Sequence, residues 1–153
     1  MKYAAQTSVS VEKSRGEIER ILTRYGATKF AFFNEECQAC IAFEIKGKRI
    51  RFILPLDSPR APDFRLGRYG KTRPDAQRLK LWEQACRQRW RALALAIKAK
   101  LEWVETGIVT VEEEFLPYIV TANGKTVAEM IMPQLNQLYE SGIMPRLLPE
   151  HTT

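Results

Sequence analysis

Between Asp75 and Glu105 the apolar residues recur at steps of three and four: Leu79, Trp82, Cys86, Trp90, Leu93, Ile97, Leu101 and Val104. That spacing stacks side chains along one helical face, so the whole stretch predicts a single long amphipathic helix. Upstream, Ser14 and Glu17 have the spacing of a capping box, and Ile18, Ile21, Leu22 and Tyr25 continue a helix that Gly26 ends. Thr7 to Val11 alternates small and β-branched residues, as a short strand would. After Gly26 the pattern shortens to a period of two. Lys29–Asn34, Gln38–Lys46 and Arg49–Leu56 read as strands. In the second, Ile41, Phe43 and Ile45 share a face; in the third, Ile50, Phe52 and Leu54 alternate with Arg49, Arg51 and Ile53. Lys46-Gly47-Lys48 predicts a tight hairpin between them, and Pro55 marks an edge or an exit.

Downstream of the long helix the chain breaks into short pieces. Thr110 with Glu113 and Thr126 with Glu129 are two further capping-box spacings. The first opens a short acidic helix that Pro117 bends or ends. The second opens a helix through Val127, Met130, Ile131, Leu135, Leu138 and Tyr139, with Pro133 as a kink or new start and Gly142 as its close. Ala122-Asn123-Gly124 is a turn, and Met144–Pro149 is a tail expected to pack in extended form. The fold class that follows is α+β: a small antiparallel sheet of three to four strands packed against one long amphipathic helix, with additional C-terminal helices. The Ser14–Tyr25 and Asp75–Glu105 helices should share one sheet face, and the C-terminal helices should cover the remaining edge of the core. Trp82, Trp90, Leu93, Ile97, Phe43, Phe52 and Ile21 are the expected core.

The chain has 153 residues, the size of one domain. Its parts are 1–56 (helix plus sheet), 57–74 (basic loop), 75–105 (long helix) and 106–153 (C-terminal helical region and tail). No apolar run approaches the ~20 residues that cross a bilayer. The first fourteen residues carry no signal-like apolar segment, so a cytoplasmic location without membrane contact is expected. Three cysteines, Cys37, Cys40 and Cys86, are an odd number, which argues against a disulfide framework. The one histidine, His151, sits in the tail, which leaves little room for histidine ligands or histidine acid–base chemistry.

Charge changes the picture most. Residues 46–100 hold sixteen Lys or Arg against four acidic residues, whereas residues 101–153 hold two against eight. Such segregation points to a polyanion partner for the middle, or to mutual neutralisation inside the fold. The loop Asp57–Pro74 carries Arg60, Arg65, Arg68, Lys71 and Arg73 interleaved with Phe64 and Tyr69, and is broken by Pro59, Pro62, Gly67, Gly70 and Pro74. Loops this long are uncommon unless functional or disordered. On the long helix, Lys80, Arg87, Arg91 and Lys98 form one basic stripe, and Arg78, Arg89 and Lys100 flank the other side of the apolar face.

The stretches SVEKSRGEIERILTRYGATKFAF, KRIRFILPL, RQRWRALALAIKAKLEWVETGI, EEEFLPYIV and LYESGIMPRLLP together resemble small uncharacterised proteins encoded by tailed phages and prophages. That resemblance implies a setting of phage recombination, replication or evasion of host defence. It carries no activity and no site residues.

Lys and Arg neutralise phosphates, and aromatic rings stack on unpaired bases. On that chemistry the candidate nucleic-acid surface is Lys46, Lys48, Arg49 and Arg51 of the hairpin; Arg60, Phe64, Arg65, Arg68, Tyr69, Lys71 and Arg73 of the loop; and Arg87, Arg91 and Lys98 of the helix. The expectation is one continuous, non-catalytic surface for single-stranded or structured DNA or RNA, with no cofactor. The order helix, three strands, long helix matches the element order of double-stranded-RNA-binding domains and loosely that of single-strand annealing proteins, without the signature residues of either. An alternative is a protein-binding inhibitor of a bacterial defence or nuclease complex, acting through Glu102, Glu105 and Glu112-Glu113-Glu114. The plainer reading of these glutamates is as helix N-terminal charges. A third is a Mg²⁺-dependent nuclease of the PD-(D/E)xK kind built on Glu44-Ile45-Lys46 with Glu17 or Glu19 and Glu36. The preceding aspartate that pattern wants is missing, and a strand glutamate paired with a lysine explains Glu44 as well. Cys37 and Cys40 lack two further zinc ligands and read as core or edge residues. The apolar residues of the tail leave a subunit contact open.

Overall fold

The structure, a computed structural model, describes Ala4 and residues 6–148; Pro149 and His151 lie outside the described residues. Helix α1, Val11–Arg24, is followed by three strands, β1 (Thr28–Asn34), β2 (Gln38–Ile45) and β3 (Lys48–Pro55). They form one antiparallel sheet in the order β1-β2-β3. Short helix α2 (Pro62–Arg65) and a 3-10 turn precede the long helix α3, which spans Asp75–Glu105 as its periodicity predicts. Then come α4 (Val111–Glu114), a 3-10 turn at Leu116–Tyr118 and α5 (Val127–Glu140).

The sheet follows from its alternation. Phe32, Ile41 and Phe52 lie in register on the inner face, as do Phe43 and Ile50. The outer face carries Ala31, Ala42 and Arg51 in one row and Phe33, Cys40 and Ile53 in the next. The β2–β3 loop has two residues, Lys46 and Gly47, both at positive φ (47° and 73°), which is the turn that matches strand twist. Helices α1 and α3 pack on the inner face, where Ile18, Leu22, Trp90, Ala94, Ile97 and Leu101 meet Ile41, Phe43, Ile45 and Phe52. Val111 and Phe115 close that core from the C-terminal side. Among the described residues no helix is long and apolar enough to cross a membrane.

Several expectations need correction. Thr7–Val11 is not a strand. Helix α1 begins one turn earlier than Ser14, with the Ser10 hydroxyl accepting from the Lys13 N–H. The earlier start lets Val11 join the stripe of Ser14, Ile18 and Leu22, and Ser14 is buried within the helix. Trp82, Leu93 and Ile21 are half-buried rather than buried: Leu93 and Ile21 pack at the margin of the core, and Trp82 donates its indole N–H to the Asp57 carbonyl at 2.6 Å. Asp57–Pro74 is not structureless. Finally, α5 does not cover the core. From Glu129 to Leu148 no residue is buried, and the described part of the tail is exposed rather than packed. Chain reversal at Thr121–Lys125 explains this: Ile119 and Val120 pair with β3, and the Ile119 carbonyl then accepts from Val127, so α5 is tied down by its first turn.

Candidate nucleic-acid interface

The loop after β3 folds into a small finger. Arg73 N–H donates to the Arg65 carbonyl (2.8 Å), Gly67 N–H donates to that of Lys71 (2.6 Å), and Leu66 bridges Thr72. Gly67 suits this close approach, since a Cβ there would meet the Lys71 carbonyl oxygen at 3.4 Å. The tip is Arg68-Tyr69-Gly70. Tyr69 sits in the left-handed region at φ 62° and is 90% exposed. That conformation costs a bulky residue on the order of 1 kcal/mol, so the hairpin around it must hold it there. Arg73 supplies part of the bracing, donating from Nη1 to the carbonyls of Asp63 (2.6 Å) and Phe64 (3.1 Å).

Arg68 and Lys71 flank this tip, Arg65 lies at the base of the finger and Arg60 precedes α2; all four are exposed, and none pairs with a carboxylate among the described residues. The Arg68 guanidinium carbon lies 5.9 Å from the Tyr69 ring centre. Phe64, the other expected stacking ring, is half-buried in α2, which packs on α3.

The remaining candidates divide. Lys46, Lys48 and Arg49 are exposed at the β2–β3 tip, with Glu44 among them. Lys29 Nζ meets both Glu44 oxygens (2.8 and 3.0 Å) and Arg49 Nε approaches at 3.8 Å. The Lys29 hydrogen bond holds the Glu44 carboxyl below its ordinary range. Lys98 is exposed on α3. Arg51 is half-buried, giving Nη2 to the Gly124 carbonyl (2.8 Å) and to Glu129 (3.3 Å), so it ties α5 to the sheet. Arg91 pairs with Glu17 between α3 and α1. Arg87 is bonded to the Gln84 side chain and lines a cleft of about 580 Å³ with Glu12, Glu35, Glu36 and Glu83. The second helix margin is likewise internal. Arg78 reaches Asp75 and the Pro59 carbonyl, Arg89 reaches Asp57 and the Pro55 carbonyl, and Lys100 reaches Glu114.

One continuous basic surface is therefore not what forms. The finger leaves the Pro55 end of β3 and the hairpin tip lies at its Lys48 end, and those two ends are roughly 25 Å apart by the length of an eight-residue strand. Sequence reasoning missed the bracing of Arg51, Arg89, Arg91 and Lys100 because their partners lie 14 to 78 residues away, whereas Arg78–Asp75 and Arg87–Gln84 are only one helical turn apart.

The carboxylates of the nuclease reading are dispersed. Glu44 is at the hairpin end, Glu36 at the opposite end of β2, and Glu17 is engaged by Arg91. Among the described residues no group of three or more His, Cys, Asp or Glu is placed to hold a metal ion. In the acidic segment Glu113 closes the Thr110 capping box, Glu114 pairs with Lys100, and Glu105 accepts from the Tyr25 hydroxyl at 2.6 Å. Cys37 is exposed, while burial pushes the Cys40 and Cys86 thiols up. Comparison of this chain with protein-family models, with curated protein sequences and with solved structures finds no match.

Proposed function

We propose that this protein binds single-stranded or unpaired nucleic acid, DNA or RNA, through the finger at residues 60–73, without catalysing a reaction on it. The observation that carries the reading is Tyr69: an aromatic ring 90% exposed, held at a costly backbone angle, with Arg68 and Lys71 exposed beside it and Arg60 and Arg65 exposed earlier in the same loop. A ring presented this way can stack on a base, and stacking contributes about 1–3 kcal/mol per base irrespective of sequence. Arg60, Arg65, Arg68 and Lys71 supply the phosphate contacts, and Arg73 acts as the brace behind them. Lys46, Lys48, Arg49 and Lys98 form a secondary contact zone. A phage recombination, replication or counter-defence setting suits such a protein.

Fluorescence anisotropy with labelled single-stranded DNA, duplex DNA and RNA across a salt series tests this. Binding should be micromolar or tighter at low salt. Arg65→Ala with Arg68→Ala should lower the single-strand salt slope by about 1.4, two phosphates at about 0.7 each. Tyr69→Ala should weaken single-strand binding roughly 5- to 100-fold and duplex binding much less. Absence of binding to all three at low salt would remove the reading.

A further inference from the structure

Beyond its contact with the Leu116–Tyr118 turn, the apolar face of α5 is left partly uncovered by the described residues, and an exposed apolar segment, 143–148, follows it. Ten large apolar side chains between Met130 and Leu148 are 38–97% exposed. At roughly 150–200 Å² for a fully exposed side chain of this size, they present on the order of 1,000 Å². About half of that area lies on α5 itself, within the ~300–600 Å² of the largest patch on a typical monomer, and half on residues 143–148; only together do they exceed the ~800 Å² each partner gives to a standard interface.

The pattern within the face says what fits. Ile131, Leu135 and Leu138 fall on the a and d positions of a heptad, with Met132 and Tyr139 beside them. The charged residues of α5, Glu129 and Glu140, lie on the opposite arc, which they share with Pro133. The proline therefore bends or weakens the helix on its outer side and leaves the seam clear. A seam without charge meets no like-charge repulsion when it faces its own copy, and an antiparallel pairing sets the two helix dipoles head to tail. Isolation would also leave α5 weak: 14 residues with an internal proline are marginal in water without packing.

We propose that the chain forms a twofold homodimer through an antiparallel α5–α5 contact centred near Leu135, with the exposed residues 143–148 of each chain laid on its partner. The contact is isologous, so it closes at two copies. It is independent of the nucleic-acid reading, and its test contains no nucleic acid.

Sedimentation velocity on the full chain from about 1 to 100 µM should give twice the 17.7 kDa chain mass at the upper concentrations. Leu135→Glu with Leu138→Glu should sediment as a monomer throughout while keeping the helical circular dichroism of the body, because neither side chain is buried in it. Hydrogen exchange on the unmodified protein is the second readout: α5 amides should gain protection as concentration rises, while those of α3 stay constant. A monomer at 100 µM, a dimer that survives the double substitution, or α5 protection that does not change with concentration would each overturn the proposal.

Discussion

Phe115 follows three glutamates, yet it is wholly buried and stands edge-on to both Phe43 (6.3 Å, 88°) and Phe52 (6.1 Å, 87°). Edge-to-face pairs add about 0.5–1.5 kcal/mol each beyond burial. Phe115→Ala is therefore expected to cost about 3–5 kcal/mol of unfolding free energy in urea, with the denaturant slope unchanged. A loss under about 1 kcal/mol would mean that the C-terminal segment is not part of the core. The sequence pattern could not reveal this residue, since α4 is a single turn and a single turn has no period. The cations show the same gap. Arg51 and Arg91 look like surface residues until their carboxylates are seen, and those lie 78 and 74 residues away. Tyr69 was legible as an exposed aromatic; its left-handed backbone was not, because the Gly70 beside it is the residue expected there.

At the scale of elements, what was legible was what is set locally. The long helix, the β2–β3 hairpin and the two C-terminal capping boxes depend on residues within one or two turns of each other, and all form where the pattern puts them, the hairpin loop being Lys46-Gly47 with Lys48 already in β3. The start of α1 was misplaced because two serines four residues apart can both cap, and packing of Val11 decides between them. The capping boxes carry a pH prediction. Backbone hydrogen bonds from Thr110 and Thr126 hold the Glu113 and Glu129 carboxyls below the ordinary range. A carboxyl depressed in the folded state stabilises above its unfolded pKa, near 4.3, and that contribution is lost as pH falls through the lower folded value. Between about pH 6 and pH 3, exchange at the Thr126 and Thr110 amides, corrected for intrinsic rate, should accelerate while the middle of α3 is unchanged. Glu129→Gln should remove the effect at Thr126 alone. Equal acceleration across α3 would indicate global acid unfolding instead.

For the whole molecule, the strongest signal in the sequence was the separation of charge, and mutual neutralisation inside the fold accounts for part of it. Arg51–Glu129 and Lys100–Glu114 join the basic middle to the acidic C-terminal region, and Arg89–Asp57 and Arg91–Glu17 neutralise more of it. Of the cations left without a carboxylate among the described residues, two groups stand out, the finger and the hairpin tip, with Lys80 and Lys98 exposed on α3 besides. Linear order hid their separation: residues 46–51 and 60–73 are neighbours in sequence, but β3 runs between them. The gap makes ligand length the discriminating variable. A stacked strand advances about 3.4 Å per nucleotide, so five nucleotides cover about 17 Å and twenty about 70 Å. Only the longer strand spans both groups of cations. Lys46→Asn with Lys48→Gln removes the hairpin charges, and asparagine keeps the positive φ that the turn requires. This variant should bind a five-nucleotide strand as the unmodified protein does. It should bind a twenty-nucleotide strand more weakly, with a salt slope smaller by about 1.4. Arg65→Ala with Arg68→Ala should weaken both lengths. If the hairpin variant instead weakens short and long strands equally, the two groups act as one surface, and the strand does not lie along β3 between them.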